Sequence, residues 1–162
     1  MNSLVVFESQ FGNTEQVAQA IARGLRERGR AQVVAVDEAP AALADDLDLL
    51  VIGGPTHAFA MSRPDSRAAA LSDGADATET GVREWLRTLP SPLPVPRVVT
   101  FSTRQGHSFL TGSAAKSAAK ALRSHESVAA EVVDFFVAGK HGPLEEGELV
   151  RATEWGRHLV EA

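Results

Sequence analysis

Leu4-Val5-Val6-Phe7 is a compact apolar run with β-branched members and predicts a buried strand. After the polar stretch from Glu8 to Asn13, Val17, Ile21 and Leu25 recur every four residues with Ala18 and Ala22 on the same side. That spacing makes one helical face, with Gly29 as terminator. Gln32 to Val36 predicts a second strand, and Pro40 opens at most a turn or two of helix within Glu38 to Asp46. Leu49 to Ile52 predicts a third buried strand running into Gly53-Gly54-Pro55, followed by a loop-rich stretch from Thr56 to Ala77 with a short helix over Pro64 to Leu71. Val82, Trp85, Leu86 and Leu89 follow helical spacing until Pro90 stops them. Pro92, Pro94 and Pro96 mark an extended connector, and Arg97 to Phe101 a fourth strand. Ser113 to Ser124 predicts an alanine-rich helix with Lys116, Lys120 and Arg123 on its outer side. Val128 to Val137 predicts a longer strand, bulged near Asp134. Pro143 opens a final helix whose acidic start (Glu145, Glu146, Glu148) and basic end (Arg157, His158) suit the helix dipole.

Strand and helix thus alternate five times, which predicts an α/β fold of three layers, α-β-α, around a five-stranded parallel sheet joined by right-handed crossovers. The 162 residues suit one domain spanning positions 1–162. With 44% hydrophobic and 23% charged residues the chain reads as globular. The start Met1-Asn2-Ser3 lacks a cationic leader, so a cytoplasmic location and no membrane association are expected. Cysteine is absent, which excludes disulfides, thiolate metal sites, cysteine nucleophiles and iron–sulfur clusters. No histidine pair has zinc-like spacing, and no metal is expected. A net charge of −5 argues against nucleic acid as a partner.

In doubly wound sheets, ligands bind beyond the carboxyl ends of the strands. The first loop there is Glu8-Ser9-Gln10-Phe11-Gly12-Asn13-Thr14, between a strand and a helix start. A phosphate could take backbone N–H groups at that helix start and the hydroxyls of Ser9 and Thr14. Gly12 and Asn13 tolerate the positive φ that such a nest needs. The plain alternative is a turn capped by Thr14 or Asn13. Neither a G-x-x-x-x-G-K-[ST] nor a G-x-G-x-x-G pattern occurs, and the loop holds no Lys or Arg.

Ser9-Gln10-Phe11-Gly12-Asn13-Thr14 resembles the phosphate loop of the flavodoxin family, [ST]-x-[ST]-G-[NK]-T, departing from it at Phe11. Val51 to His57 resembles the family's third strand and first flavin loop, and Phe101 to Arg104 stands where the second belongs. The resemblance spans the chain in element order, is specific only in the first loop, and is to short-chain members. It implies strand order 2-1-3-4-5 and FMN as cofactor. It also implies that Ser9, Gln10, Phe11, Gly12, Asn13 and Thr14 hold the phosphate end. Pro55, Thr56, His57 and Phe59 would line one side of the ring, and Thr103, Arg104, Gly106 and His107 the other. No Tyr exists to stack on the ring, and Trp85 and Trp155 fit helix cores. Stacking is therefore expected from Phe59 and His57 first, with His107 and Phe109 as the other candidates. Arg63 and Arg67 are expected to be solvated charges, and His125 and His158 exposed helix-end residues. His141 is expected in a turn facing the same edge as the flavin loops. Arg104 and His107, near the pyrimidine edge of the ring, would make the second reduction step less negative and favour acidic partners or anionic small molecules over basic ones.

The leading expectation is an FMN redox protein passing electrons to or from a partner protein. A second is an FMN oxidoreductase acting on a small molecule such as a quinone. A third is a flavin-free binding domain; a phosphoacceptor version is disfavoured because Gly53 stands where an aspartate would be needed.

Overall fold

The computed structural model describes residues 1–161, with residue 109 described through its backbone only. The elements in chain order are β1 (Asn2–Phe7), α1 (Asn13–Arg26), β2 (Arg30–Ala35), β3 (Leu49–His57), β4 (Ala60–Met61) and α2 (Pro64–Ser72). They continue with α3 (Val82–Leu86), β5 (Arg97–Gln105), α4 (Ala114–Ala121), β6 (Glu131–Val137) and α5 (Glu148–Glu161). Five strands pair in parallel in the order β2-β1-β3-β5-β6, the expected 2-1-3-4-5 order once the short β4 is set aside. β4 turns back antiparallel on the end of β3, Thr56 opposite Met61 and His57 opposite Ala60.

Alternation along the strands sends apolar side chains to both faces, as a sheet covered on both sides requires. Val5, Phe7, Val51, Val99, Phe101 and Phe135 pack against α1 and α5 through Val17, Ile21, Leu25, Ala152, Trp155 and Leu159. Leu4, Val6, Leu50, Ile52 and Val98 pack against α3 and α4 through Val82, Trp85, Leu86, Ala114 and Ala118. Both tryptophans are core residues, as their helical spacing predicted. None of the helices among the described residues is long and apolar enough to cross a membrane.

Four departures from the sequence reading have physical causes. β3 runs on through Gly53-Gly54-Pro55 to His57, because Gly54 and Pro55 still pair with Ser102 and Thr103 of β5. β6 begins at Glu131 rather than Val128, and its register with β5 is continuous through Asp134 without a bulge. Pro143 does not open α5. Residues 143–145 instead return along β6, with Ala138 N–H donating to Pro143 O at 2.8 Å and Glu145 N–H to Phe136 O at 2.9 Å. His125 is buried, its Nδ1 3.1 Å from the Pro90 carbonyl, rather than exposed.

Candidate functional site

At the carboxyl end of the sheet a cleft of about 300 Å³ opens between the loops after β1, β3, β5 and β6, with α2 as one wall. Its volume is at the lower end of the range for small-molecule sites. Ser9, Gln10, Phe11, Asn13, Thr14, Pro55, Thr56, His57, Thr103 and Arg104 all line it. Ten residues singled out from three separate stretches of sequence therefore meet in one place.

The first loop is shaped by its own atoms. Gly12 is the N-cap of α1 with φ 84°, a left-handed value that a side chain resists. Its N–H donates to Ser9 Oγ at 3.1 Å, and its carbonyl accepts from Gln16 N–H at 3.1 Å. Gly12 itself contributes nothing to the lining; its part is conformational. The first N–H groups of a helix have no intrahelical acceptor and carry the positive end of its dipole, so this helix start favours an anion. Thr14 Oγ1 meets Thr103 Oγ1 at 2.7 Å, fastening the loop to β5. Asn13 Nδ2 donates to His141 O at 3.0 Å, and the Phe11 ring stacks on His141 with centroids 4.2 Å apart. Phe11, the departure from the family pattern, thus seats the β6–α5 connection on the first loop, and His141 faces the edge expected of it.

Behind the loop lies a buried polar network that the sequence did not announce. Glu8 is fully buried: its Oε1 accepts from Gln10 Nε2 at 2.7 Å and from Ser62 Oγ, and its Oε2 from Val82 N–H at 2.8 Å. Arg67 Nη1 donates to Ser62 Oγ at 2.8 Å and lies 3.2 Å from Glu84 Oε2. With 6% of its surface exposed, Arg67 is not the solvated charge that was expected; Arg63 is. Gln10, turned by its bond to Glu8, leaves its Oε1 buried without a hydrogen-bond partner.

His57 stands at the end of β3 with Nδ1 3.1 Å from Ser66 Oγ of α2. Burial lowers its pKa below the usual histidine value; Glu8 opposes this, while the Arg67 charge adds to it. A histidine lowered in the fold stabilises it above the unfolded value, about 6.5, and that contribution is lost as pH falls through the folded pKa. In an NMR titration the His57 imidazole is expected to charge only below pH 6.5, with stability declining over the same range; a midpoint at or above 6.5 contradicts its placement.

Three expected ring contacts lie elsewhere. Ala58 and Phe59 form a two-residue turn with φ 45° and 73°, which lets β4 reverse directly onto β3. The turn's backbone abuts Gly112, where an added Cβ would lie 2.2 Å from Phe59 O. This points the Phe59 side chain outward at 68% exposure, and it does not line the cleft. Gly106 (φ 78°) only turns the chain after β5. His107 stacks face to face on Phe136, centroids 3.7 Å apart, with Nε2 2.9 Å from Glu145 Oε2, so it belongs to the β6 edge. Phe109 as a stacking candidate lies outside the described side chains.

Arg104 lines the cleft but is engaged otherwise than expected. Its Nη1 donates to Ser108 O at 2.7 Å, to Gly112 O at 3.1 Å and to Thr111 Oγ1, fastening the loop after β5. Its Nε lies 3.0 Å from Asp134 Oδ2, close enough for an ion pair though off the axis of a hydrogen bond. Asp134 also accepts from Ser102 Oγ and Ser113 Oγ, both at 2.6 Å. Because this cation arrives with its own counter-anion, neither Arg104 nor His107 supports the expected shift in reduction potential or preference for acidic partners.

Asp73 at the end of α2 and Lys140 after β6 also line the cleft and pair at 2.6 Å; Lys140 holds the Asp73 carboxyl below the usual carboxylate range. Neither was singled out, since nothing local in the sequence marks a pair formed across 67 positions.

Comparisons with known proteins follow the same lines. A family model described as flavodoxin matches residues 5–84, which hold the first loop, β3, α2 and the start of α3. No curated protein matches the sequence. Among solved structures, oxidised flavodoxin 1 from Bacillus cereus is similar with a TM-score of 0.69 at 16% identity, covering 99% of this chain and 98% of that one. A flavodoxin from the domain Archaea gives 0.67 at 18% identity, covering 99% and 97%. Two-electron reduced Megasphaera elsdenii flavodoxin gives 0.63 at 16% identity, covering 99% of both chains. At such identities these three likenesses speak for the fold.

Proposed function

The chain belongs to the flavodoxin-like family, and on that premise we propose that it holds FMN in this cleft and serves as a redox protein that passes electrons to or from a protein partner. The observation that carries the reading is the meeting of an amide-rich helix start with the ends of β3 and β5 around one cleft. The residues fit the group. The α1 start offers free backbone N–H groups and a positive dipole end for a phosphate. Ser9, whose Oγ already accepts from Gly12, retains its O–H to donate. Gln10 Oε1 is a buried acceptor without a partner, suited to a hydroxyl-bearing chain. Pro55, Thr56, His57 and Thr103 form the walls beyond it.

When bound, FMN supplies the redox chemistry, and the protein supplies binding, orientation and electrostatics. Ser9 to Thr14 bind the phosphate end through backbone N–H groups and hydroxyls. α2 shields one side of the cleft with Ala69 and Ala70. His57, its pKa lowered by burial and its Nδ1 taken by Ser66 Oγ, leaves Nε2 as its one remaining hydrogen-bonding atom, donor or acceptor according to the tautomer.

The reading is tested by adding FMN to the flavin-free protein and then supplying reductant. Saturable quenching of flavin fluorescence with a shifted visible spectrum is expected. The photoreduced complex is expected to pass electrons to cytochrome c while showing little turnover with NAD(P)H and a quinone. Sustained quinone reduction would favour a small-molecule oxidoreductase, and no spectral change with FMN would remove the reading altogether.

A further inference from the structure

The phosphate loop from Ser9 to Thr14 carries no cation, yet one of the chain's three lysines reaches the same cleft. Lys140 follows β6, and the residue after it is fixed to the loop twice. The His141 ring stacks on Phe11, and the His141 carbonyl accepts from Asn13 Nδ2. Both contacts place the Lys140 backbone beside the α1 start. The Lys140 ammonium is bound to Asp73 Oδ2 at 2.6 Å, on the opposite wall formed by α2. The side chain is otherwise largely in solvent, at 75% exposure, so nothing else holds it there.

Resting on the FMN reading above, we infer that Lys140 is the phosphate's counter-cation and that FMN and Asp73 compete for it. In the free protein the lysine spans the cleft to Asp73; on binding it turns to the phosphate, and Asp73 is left with His141, whose Nε2 lies 3.7 Å away. Lysine suits the exchange better than arginine would, because a compact ammonium on a flexible stem has no fixed fork to reorient. Asp73 thereby sets the phosphate affinity from outside the phosphate site. A carboxylate ligand exchanged for a doubly charged phosphate is a favourable trade for the lysine, and a neutral ligand cannot drive it.

Dissociation constants of FMN and riboflavin for the wild type, Lys140→Met, Asp73→Asn and the double variant test the exchange. Both side chains are exposed, so the variants should fold, and circular dichroism checks that they do. Lys140→Met is expected to weaken FMN about tenfold and leave riboflavin unchanged. Asp73→Asn is expected to tighten FMN several-fold, again without effect on riboflavin. Part of that gain is simple relief of repulsion between Asp73 and the phosphate, so the gain should shrink clearly when residue 140 is already methionine. Overturning results are an unchanged FMN to riboflavin ratio in Lys140→Met, equal weakening of both flavins, or an equal Asp73→Asn gain in both backgrounds. Failure of the FMN reading itself looks different: the wild type then fails to bind FMN at all.

Discussion

Arg67→Met is expected to lower stability by about 3 kcal/mol, the lower end of the range for breaking a buried ion pair. For a chain of this length that shifts the melting temperature by roughly 10 °C. Arg67 is almost fully enclosed, and its removal leaves Glu84 without its cation and Ser62 Oγ without the donor that completes its link to Glu8. The lower end applies because Glu84 keeps 29% of its side-chain surface in water. Burial by itself would raise the Glu84 pKa; the Arg67 hydrogen bond and charge, with the Gly81 N–H, overcome it and hold the carboxyl below its usual range. The sign of the pH dependence follows. A lowered carboxylate stabilises the fold above its unfolded pKa, near 4.3, and loses that contribution as pH falls through the folded value. Wild type and variant should therefore differ most near neutrality and converge in acid. Arg63→Ala, at an exposed position four residues earlier, should change stability by no more than about 0.5 kcal/mol. Equal, small losses for both in urea melts would mean that Arg67 is solvated in solution.

Arg67 also marks where a sequence reading stops. The layers were legible because they rest on local periodicity: the four-residue recurrence from Val17 to Leu25 and the apolar runs Leu4 to Phe7 and Leu49 to Ile52. The strand order was implied only by the family resemblance, since no local pattern says which strands become neighbours. The first loop was legible because Gly12 and its neighbours must form a particular turn between a strand and a helix. The burial of Arg67 was not, since it depends on Glu8, Ser62 and Glu84 arriving from three other segments. The reversal at Ala58 and Phe59 was hidden for a related reason. Turns with positive φ at both central residues ordinarily advertise themselves through Asn or Gly, and here neither occurs. Missing that turn misplaced the Phe59 side chain. The positions of Arg104 and His107 were decided by Asp134 and Phe136 on β6 and by Glu145 in the segment that returns along it, a region whose strand limits no local pattern marks.

The affinity difference between FMN and riboflavin is expected to be the largest effect in this protein. The two flavins share the ring and the hydroxylated chain and differ only in the phosphate, so their ratio isolates the contacts to the phosphate, those of the loop from Ser9 to Thr14 foremost. Two or three charge-assisted hydrogen bonds from the α1 start, each contributing about 1.5–3 kcal/mol, correspond to at least a hundredfold preference for FMN. Gly12 and Ser9 already hold the loop in shape, so little ordering cost should offset that gain. Salt should narrow the preference, since part of it is electrostatic. Isothermal titration of the flavin-free protein with each flavin, at one pH and salt concentration, measures the ratio directly. A preference of a hundredfold or more is the predicted result; equal affinities, or riboflavin binding the tighter, would contradict the assignment of this loop as a phosphate site.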